Sequence, residues 1–259
     1  MRMRFKPYAR PELLACDFHA HDPFHSAGHW RERFARPEQP LMLELGCGKG
    51  GFLSRLASAH PENNYMGFDI TDKVLILAKR KIEAAYAEAG RPVDNVCILS
   101  ADIERILNVM NADDVVRRIY INFCNPWSKN AGSNKHRLTH PRQLIQYRTF
   151  LEDGGEVYFK TDDDDLFRDS LEYFPAAGYE ITWQTRDLHN GEPDWNIRTE
   201  HEGMFTEMGI PIKALIARKL PGDESVTWVE PKALARQQAA AGEAADACPT
   251  EEACPAEEA

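Results

Sequence analysis

The sequence of 259 residues lacks any long apolar run and any cysteine pairing pattern. No stretch approaches the ~20 consecutive apolar residues that a membrane-spanning helix needs, and the N-terminus lacks the apolar segment of a secretory signal. The six cysteines show no C-x-x-C spacing, which argues against a disulfide framework. These absences predict a protein of the reducing cytoplasm without a membrane anchor.

Positive charge is also scarce. The formal net charge is −10 at pH 7, which taken alone argues against a nucleic-acid partner. The acidic excess is concentrated in residues 221–259, which hold nine acidic and two basic residues. Two stretches contain no acid at all, residues 1–10 with four basic residues and residues 126–151 with five. These stretches predict a phosphate-binding surface, with a merely solvated basic face as the alternative.

The most informative stretch joins an apolar run to a helix through a cluster of glycines. The run Leu41–Leu45 predicts a buried parallel strand, and apolar positions from Phe52 onward fall at helical spacing. Between them stand Gly46, Gly48, Gly50 and Gly51. Glycines let a ligand approach the backbone and can adopt positive φ. This order predicts a nucleotide-binding βα unit, with Glu44 at the strand end where open α/β sheets bind ligands.

Two ligands fit a turn of this kind. Gly46, Gly48 and Gly51 match the dinucleotide fingerprint G-x-G-x-x-G. The acid inside the strand, Glu44, fits S-adenosylmethionine (SAM) better, because SAM carries a cationic ammonium and a sulfonium and has no pyrophosphate. We predict SAM, with Glu44, Gly46 and Gly48 as cofactor-binding residues. A dinucleotide and a turn without a ligand are the alternatives.

Polar residues also follow the next three apolar runs. Asp69 closes the first of them and is placed to accept hydrogen bonds from ribose hydroxyls. Asp102 follows the second and either contacts an adenine or caps the next helix. After the third comes Asn125, followed by Pro126 and Trp127. A rigid proline next to an aromatic ring is a suitable floor for a flat base.

Strands alternate with helices through the middle of the chain, which predicts an α/β fold with a doubly wound, mostly parallel sheet. Seven strands are predicted, at 41–45, 64–70, 96–99, 118–123, 156–160, 179–183 and 213–217. A turn is expected at 153–155, and a polar loop at 185–203.

Composition divides the chain into three segments: an N-terminal arm at 1–40, the α/β domain at 41–220, and an acidic tail rich in Ala, Glu and Pro at 221–259. The tail is poor in apolar residues and is predicted to be disordered. The arm holds four histidines: His19, His21, His25 and His29. Their spacing matches no structural zinc pattern, so we expect no metal and interpret the arm as a polar segment over the domain.

Several motifs are distinctive when they are taken together. They are Leu-Glu-Leu-Gly-Cys-Gly-Lys-Gly at 43–50, Asn-Phe-Cys-Asn-Pro-Trp-Ser-Lys at 122–129, His-Arg-Leu-Thr-His-Pro-Arg at 136–142, Phe-Lys-Thr-Asp at 159–162, and Thr-Glu-His-Glu at 199–202 followed by Phe205. Over roughly residues 40–219 the chain resembles the bacterial tRNA (guanine-N7-)-methyltransferase family. The resemblance implies a Rossmann-like, seven-stranded SAM-dependent methyltransferase fold. It also implies SAM as cofactor, tRNA as partner, and methylation of guanine N7 in the variable loop.

The resemblance further implies the roles of individual residues. It implies that SAM is bound by Glu44, Asp69, Asp102 and Asn125. It also implies that Asn125 is the catalytic residue, at the position where SAM and guanine meet. Contact with the substrate falls to Lys129, Asp162, Thr199, Glu200, His201 and Glu202. Contact with RNA falls to Ser133, Asn134, Lys135, His136 and Arg137.

The central motif departs from the family's usual Asp-Pro-Trp-Pro-Lys. Asn125 replaces the Asp, Ser128 replaces the Pro, and the basic run that follows is thinner. Guanine N7 has an in-plane lone pair that is unprotonated at neutral pH, so it can attack a sulfonium methyl without a general base. Catalysis can then depend mainly on alignment and electrostatics, and the Asn125 amide oxygen can accept a guanine N–H. We therefore predict a modestly weaker enzyme and not an inactive one.

Three other functions stay open on sequence grounds. Nucleic-acid amino-methyltransferases also carry Asn-Pro at a strand end, although usually as Asn-Pro-Pro-aromatic. A non-catalytic tRNA- or SAM-binding protein is suggested by Asn125. An NAD oxidoreductase would need a site for the nicotinamide, and the sequence offers no candidate for one.

Overall fold

A computed structural model describes residues 7–127 and 131–230. The chain divides into two compact units, Met1–Val226 and Thr227–Ala259, and only residues 227–230 of the second are described. Within the described ranges, no helix is both long enough and apolar enough to cross a bilayer. The four cysteines in these ranges are free thiols.

The first unit is built on one sheet. Its strands are β1 (His19–Ala20), β2 (Leu41–Leu45), β3 (Asn64–Asp69), β4 (Val96–Ser100), β5 (Val116–Asn122), β6 (Leu151–Thr161), β7 (Tyr179–Thr185) and β8 (Lys213–Lys219). Their spatial order is β1-β4-β3-β2-β5-β6-β8-β7, and β8 runs antiparallel to β6 and β7 while the other pairs are parallel. The strand order reverses at β2, so the expected ligand crevice lies at the carboxyl ends of β2 and its neighbours.

Helices cover both faces of this sheet. They are α1 (Ala9–Leu14), α2 (Gly51–Ala59), α3 (Asp72–Glu88), α4 (Pro141–Arg148), α5 (Asp164–Ala176) and α6 (Glu200–Glu207). Short 3-10 turns lie at Pro23–His25, Trp30–Arg33, Ile103–Asn108 and Ala131–His136.

The central strand β2 is buried along its whole length, as expected for a strand covered on both faces. Leu43 and Leu45 belong to the apolar layer that includes residues of α4 and α5. Met42 belongs to the opposite layer, with residues of α2 and α3. Because side chains alternate along a strand, Glu44 points to the same side as Met42, toward the start of α2.

Residues 7–40 are part of the folded domain. β1 adds a parallel strand beside β4 at the edge of the sheet. Trp30 is fully buried and donates its Nε1–H to the carbonyl oxygen of Val109 at 2.7 Å. Helix α1 packs on α3, where Glu12 pairs with Arg80 at 2.7 Å. These contacts depend on single residues in short elements, so no periodic pattern in the sequence predicts them.

The predicted α/β fold with a doubly wound, mostly parallel sheet is confirmed, and β1 adds an eighth strand to the seven expected. Two local predictions are wrong, one of them only in part. The turn expected at 153–155 lies inside β6, where Gly154 has a φ of +77° and the pairing register with β5 shifts. The loop expected at 185–203 is confirmed for residues 186–199 and is wrong at its end, where α6 begins at Glu200 because Thr199 and Glu202 form a capping box.

Candidate active site

The loop between β2 and α2 carries the glycine turn. Gly46, Gly48 and Gly50 have φ values of +80°, +53° and +73°, a region that side-chain-bearing residues rarely adopt. The N–H groups of Gly46 and Cys47 both donate to the carbonyl oxygen of Phe68, at 2.9 and 2.8 Å, which ties the turn to β3. A Cβ added at Gly46 or Gly48 would meet no atom closer than 3.9 Å. Open space therefore lies beside the turn.

Glu44 lies next to this turn and is only 3% exposed. Asn122 donates its Nδ2–H to Oε1 of Glu44 at 3.0 Å, while Oε2 has no hydrogen-bond partner in the described structure. Burial raises the pKa of Glu44 to about 7, and the hydrogen bond from Asn122 and the charge of Lys160 offset this only in part. The site thus holds a dry carboxyl group with one oxygen available to a donor.

A cavity of about 450 Å³ adjoins the turn, within the size range of cofactor sites. Its lining includes Glu44, Gly46, Gly48, Asp69, Asn122, Phe123, Glu200 and His201. Asp69 ends β3, and its Oδ2 accepts the Gly48 N–H at 3.1 Å. Burial raises the pKa of Asp69. The structure therefore brings the predicted Glu44, Gly46, Gly48 and Asp69 to one cavity.

A second cavity of about 300 Å³ shares Gly46, Asp69 and Phe123 with the first. Its other lining residues include Asp102, Asn125, Trp127 and His136. Asp102 also caps the turn Ile103–Asn108, because its Oδ1 accepts the Glu104 N–H at 3.0 Å. The predicted capping role of Asp102 is thus present, and its contact with a cofactor stays a prediction.

Asn125 shapes the backbone at the rim of this second cavity. Its Oδ1 accepts the Trp127 N–H at 3.0 Å, and Trp127 adopts a φ of +49°. Arg137 supports the same segment by donating its Nε–H to the carbonyl oxygen of Pro126 at 2.6 Å. The Trp127 ring is 39% exposed and lies 5.2 Å from the His136 ring. An aromatic surface of the kind predicted for a flat base is thus present.

The structure places Arg137 inside the fold, and its predicted contact with RNA stays a prediction. Arg137 is 2% exposed, and one of its terminal nitrogens lies 2.5 Å from Oδ2 of Asp169. In this arrangement the guanidinium is enclosed and paired within the protein. Its role is to hold the Pro126–Trp127 segment in place.

Phe123 links the strand end to α6. It directly follows β5 with a φ of +52°, and its ring stacks on His201 at 5.6 Å and on Phe205 at 5.8 Å. Because His201 and Phe205 belong to α6, this stack fixes α6 beside both cavities.

A buried ion pair fixes the start of α6. Glu202 has no exposed surface, and its Oε2 lies 2.7 Å from Lys160 Nζ and 2.7 Å from the Thr199 nitrogen. Asn196 and His189 reach its other oxygen at 3.0 and 3.3 Å. Burial lowers the pKa of Lys160. Burial would raise the pKa of Glu202, but the charge and hydrogen bond of Lys160 outweigh it and leave that pKa lowered.

The predicted contact of Glu202 with the substrate stays a prediction. In this structure both of its oxygens are enclosed and hydrogen-bonded to the protein, and the side chain positions its neighbours. Thr199 caps the helix through its Oγ1. Glu200 pairs with Lys81 of α3, and both Glu200 and His201 line the larger cavity.

The remaining predicted contacts lie around the second cavity and the end of β6. Asp162 is partly exposed, and its carbonyl oxygen accepts a hydrogen bond from Lys213 at 2.9 Å. In the turn Ala131–His136, Lys135 is exposed, while Ser133, Asn134 and His136 are partly buried. Lys129 lies outside the described residues. Contact of these residues with substrate or RNA stays a prediction.

The histidines of the arm form no metal site in the part of the chain that the structure describes, where no group of three or more His, Cys, Asp or Glu is arranged around a metal position. His19 and His21 approach each other with their Nδ1 atoms 3.1 Å apart. Burial, and to a lesser degree His21, lowers the pKa of His19 to about 4.

Comparison with known proteins identifies the fold and the family. A family model described as "Putative methyltransferase" matches residues 38–215. A tRNA (guanine-N(7)-)-methyltransferase of Clostridium perfringens (strain SM101) is 55% identical over 220 residues, which cover 85% of this chain and 100% of that protein. The protein of that name from Clostridium beijerinckii is 55% identical over 219 residues, covering 85% and 99%. The chain belongs to the tRNA (guanine-N(7)-)-methyltransferase family.

A solved structure supports the fold of this family member independently. The 16S rRNA methyltransferase KamB superposes with a TM-score of 0.51 at 13% identity, over 85% of this chain and 96% of that chain. At this level of identity the likeness bears on the fold alone.

Several residues that shape this methyltransferase site were not predicted: Asn122, Phe123, Lys160, Asn196 and Phe205. Asn122 and Lys160 lie inside motifs that carry the family resemblance, but their roles depend on partners in other strands and in the loop before α6. The pattern Thr199-x-x-Glu202 is the one local signal that was available, since it is the sequence signature of a capped helix start.

Proposed function

We propose that this protein transfers the methyl group of SAM to N7 of a guanine in tRNA. The observation that carries the proposal is the convergence of Glu44, Asp69, Asp102 and Asn125 from four strand ends onto two adjoining cavities. Membership of the tRNA (guanine-N(7)-)-methyltransferase family supports the same reaction. The finer parts of the proposal are a guanine in the variable loop, supported by the resemblance, and action in the cytoplasm, supported by the tRNA substrate and the free thiols.

The residues present fit SAM. Open space beside Gly46 and Gly48 admits a ligand close to the backbone. Oε2 of Glu44 is a buried acceptor without a partner in residues 7–127 and 131–230, which suits the ammonium group of the cofactor. Asp69 ends the next strand, where a carboxylate can accept hydrogen bonds from ribose hydroxyls. We assign Glu44, Gly46, Gly48, Asp69, Asp102 and Asn125 to the cofactor.

The mechanism depends on alignment. Bound SAM supplies an electrophilic methyl group on its sulfonium. Guanine N7 carries its own lone pair, so no residue has to remove a proton. The exposed ring of Trp127 can stack on the base. The side-chain Oδ1 of Asn125 already accepts the Trp127 N–H. The second lone pair of this Oδ1 can accept a guanine N–H. Holding N7 in line with the methyl group is then the main contribution of the protein.

Contacts beyond the reacting base come from two sides. Thr199, Glu200 and His201 border the larger cavity, and with Asp162 and Lys129 we assign them to the substrate nucleotide. Ser133, Asn134, Lys135 and His136 flank the second cavity or follow Trp127 in the chain, and we assign them to RNA. Lys135 is the exposed cation of this group, and phosphate contacts of this kind give affinity without sequence preference.

The deciding experiment incubates the protein with radiolabelled SAM and unmodified tRNA, followed by digestion and analysis of the nucleosides. We expect label in 7-methylguanosine. Label in a methylated exocyclic amine would support an amino-methyltransferase and overturn the N7 assignment. SAM binding with no transfer to any nucleoside would support a non-catalytic binding protein, the alternative that the amide at position 125 suggests.

A further inference from the structure

Asn122 is the last residue of β5 and lines the larger cavity together with Glu44. Its Nδ2–H donates to Glu44 Oε1 at 3.0 Å. The other oxygen of Glu44 and the Oδ1 atom of Asn122 are both buried, and neither has a hydrogen-bond partner in the described structure. Two unsatisfied acceptors therefore belong to neighbouring side chains of one cavity.

The carboxylate fixes the orientation of the Asn122 amide. An ionised carboxylate only accepts hydrogen bonds, so the amide nitrogen faces Glu44 and the amide oxygen faces away from it. A buried acceptor that finds no donor costs about 1–3 kcal/mol. The pair is thus arranged to receive hydrogen atoms from a ligand.

The cation that acts on Glu44 does not supply them. Lys160 is the cation whose charge acts on Glu44. Its Nζ is already bonded to Glu202 Oε2 at 2.7 Å, to Asn196 Oδ1 at 2.9 Å and to the Ile197 carbonyl at 3.1 Å. Three donors are all that an ammonium of lysine has. Lys160 therefore leaves both acceptors open to the hydrogen atoms of a ligand.

The ammonium group is the part of SAM that matches this pair of acceptors best. The adenine amino group offers two hydrogens but no positive charge to complement Glu44. A carboxylate is repelled by Glu44, a hydroxyl offers a single hydrogen, and a sulfonium offers none. An ammonium group offers three hydrogens and a positive charge. Charge-assisted hydrogen bonds of this kind are about twice as strong as neutral ones.

We propose that Asn122 is a cofactor-binding residue whose Oδ1, together with Oε2 of Glu44, accepts hydrogen bonds from the ammonium group of the methionine part of SAM. The proposal rests on the proposed function, because it takes SAM as the cofactor. It places the amino-acid end of the cofactor at the ends of β2 and β5. The ends of β3 and β4, with Asp69 and Asp102, are left for the adenosine.

Calorimetric binding of two ligands tests this assignment. S-adenosylhomocysteine carries the ammonium group, whereas its deaminated analogue differs only in lacking it. We expect Asn122→Leu to raise the Kd for S-adenosylhomocysteine roughly tenfold, and to leave the Kd for the deaminated analogue within about twofold of its value for the unmodified protein. If Asn122→Leu fails to fold, Asn122→Ala carries the same comparison, because it only deletes atoms.

Asn64→Leu is the matched control. Asn64 is also a buried asparagine that uses its Nδ2–H and leaves Oδ1 without a partner in the described ranges. It begins β3, however, and so lies at the amino ends of the parallel strands, away from the carboxyl ends that carry the site. We expect this variant to bind both ligands normally. Equal weakening of both ligands by Asn122→Leu, or no weakening of either, would overturn the proposal. Failure of the unmodified protein to bind S-adenosylhomocysteine would instead contradict the proposed function.

Discussion

Burial sets the chemistry of individual side chains at this site. Glu44 has a raised pKa because its carboxyl group is enclosed, and the Cys47 thiol, buried within the glycine turn, has its pKa raised well above the usual value for the same reason. Cys47 is therefore held as a neutral thiol. Asn125, by contrast, is an uncharged group placed where the family usually has a carboxylate.

Glu44→Gln tests the effect of burial on Glu44. A carboxyl group whose pKa is raised in the fold contributes stability that is present below its unfolded pKa and is lost as the pH rises to about 7. Without a ligand, the free energy of unfolding of the variant relative to the unmodified protein should therefore rise from pH 5 to pH 8, by up to about 3 kcal/mol. Urea unfolding at both pH values measures this. A stability difference that does not change with pH would contradict it.

Asn125→Asp tests the departure from the family motif. An aspartate can keep the hydrogen bond to the Trp127 N–H and adds negative charge near the methylguanosine cation that develops. Electrostatic stabilisation of this kind favours the transition state. We expect kcat for tRNA methylation to rise by roughly 3- to 10-fold. An unchanged or lower kcat in multiple-turnover assays would count against the argument.

Helix α6 depends on its tertiary contacts. It has eight residues, and isolated helices of this length are marginal in water. Its contacts are the buried pair between Lys160 and Glu202, the pair between Glu200 and Lys81, and the aromatic stack on Phe123. Since α6 also carries His201 into the larger cavity, these contacts position part of the site.

Lys160→Met leaves the carboxylate of Glu202 buried without its cation. Breaking a buried pair in this way typically costs about 3–5 kcal/mol, and we expect a loss of that size in urea unfolding. The double variant Lys160→Met with Glu202→Leu leaves no unpaired charge, so it should lose less stability than the single variant. A double variant that is less stable than Lys160→Met would show that the carboxylate is well satisfied by its other donors.

At the scale of the molecule, acidic residues are in excess in the C-terminal segment of the chain. Residues 231–259 contain six acidic and two basic residues, so this short segment contributes −4 of the net charge of −10, and the remaining −6 is spread over residues 1–230. Residues 221–226 belong to the folded unit. Gly222 accepts a hydrogen bond from the buried Arg148, and Val226 forms a bridge with Ala177.

Truncation after Glu230 tests whether the acidic segment limits non-specific RNA binding. Like-charge repulsion weakens binding to the phosphate backbone, so we expect the truncated protein to bind bulk RNA several-fold more tightly at low salt. Its thermal stability should be unchanged. Unchanged affinity for bulk RNA would rule out this role for the segment.

Truncation after Leu220 tests whether residues 221–230 contribute to the stability of the fold. It removes the acceptor that Gly222 offers to the Arg148 guanidinium. An unsatisfied buried donor costs about 1–3 kcal/mol, so this shorter protein should unfold at a lower temperature than the one ending at Glu230. Equal unfolding temperatures would show that residues 221–230 add nothing to the fold.

The amino-acid sequence by itself determined seven of the sheet's strands, the glycine turn and the strand-end polar residues of this methyltransferase. Buried parallel strands are continuous apolar runs, and Glu44, Asp69 and Asp102 stand directly at or after such runs. Local spacing is sufficient for features of this kind, because one element contains the whole signal.

Only the tertiary structure decided which polar side chains remain available to a ligand. Arg137 and Glu202 are charged residues of the kind that contact a nucleotide or RNA. In the fold, however, they are buried and paired with Asp169 and Lys160. Asn122 lies inside a family motif, but its contact with Glu44 exists only because β5 lies beside β2. The physical reason is that hydrogen bonding and burial depend on partners 30 to 80 residues away in the chain, which no local pattern specifies.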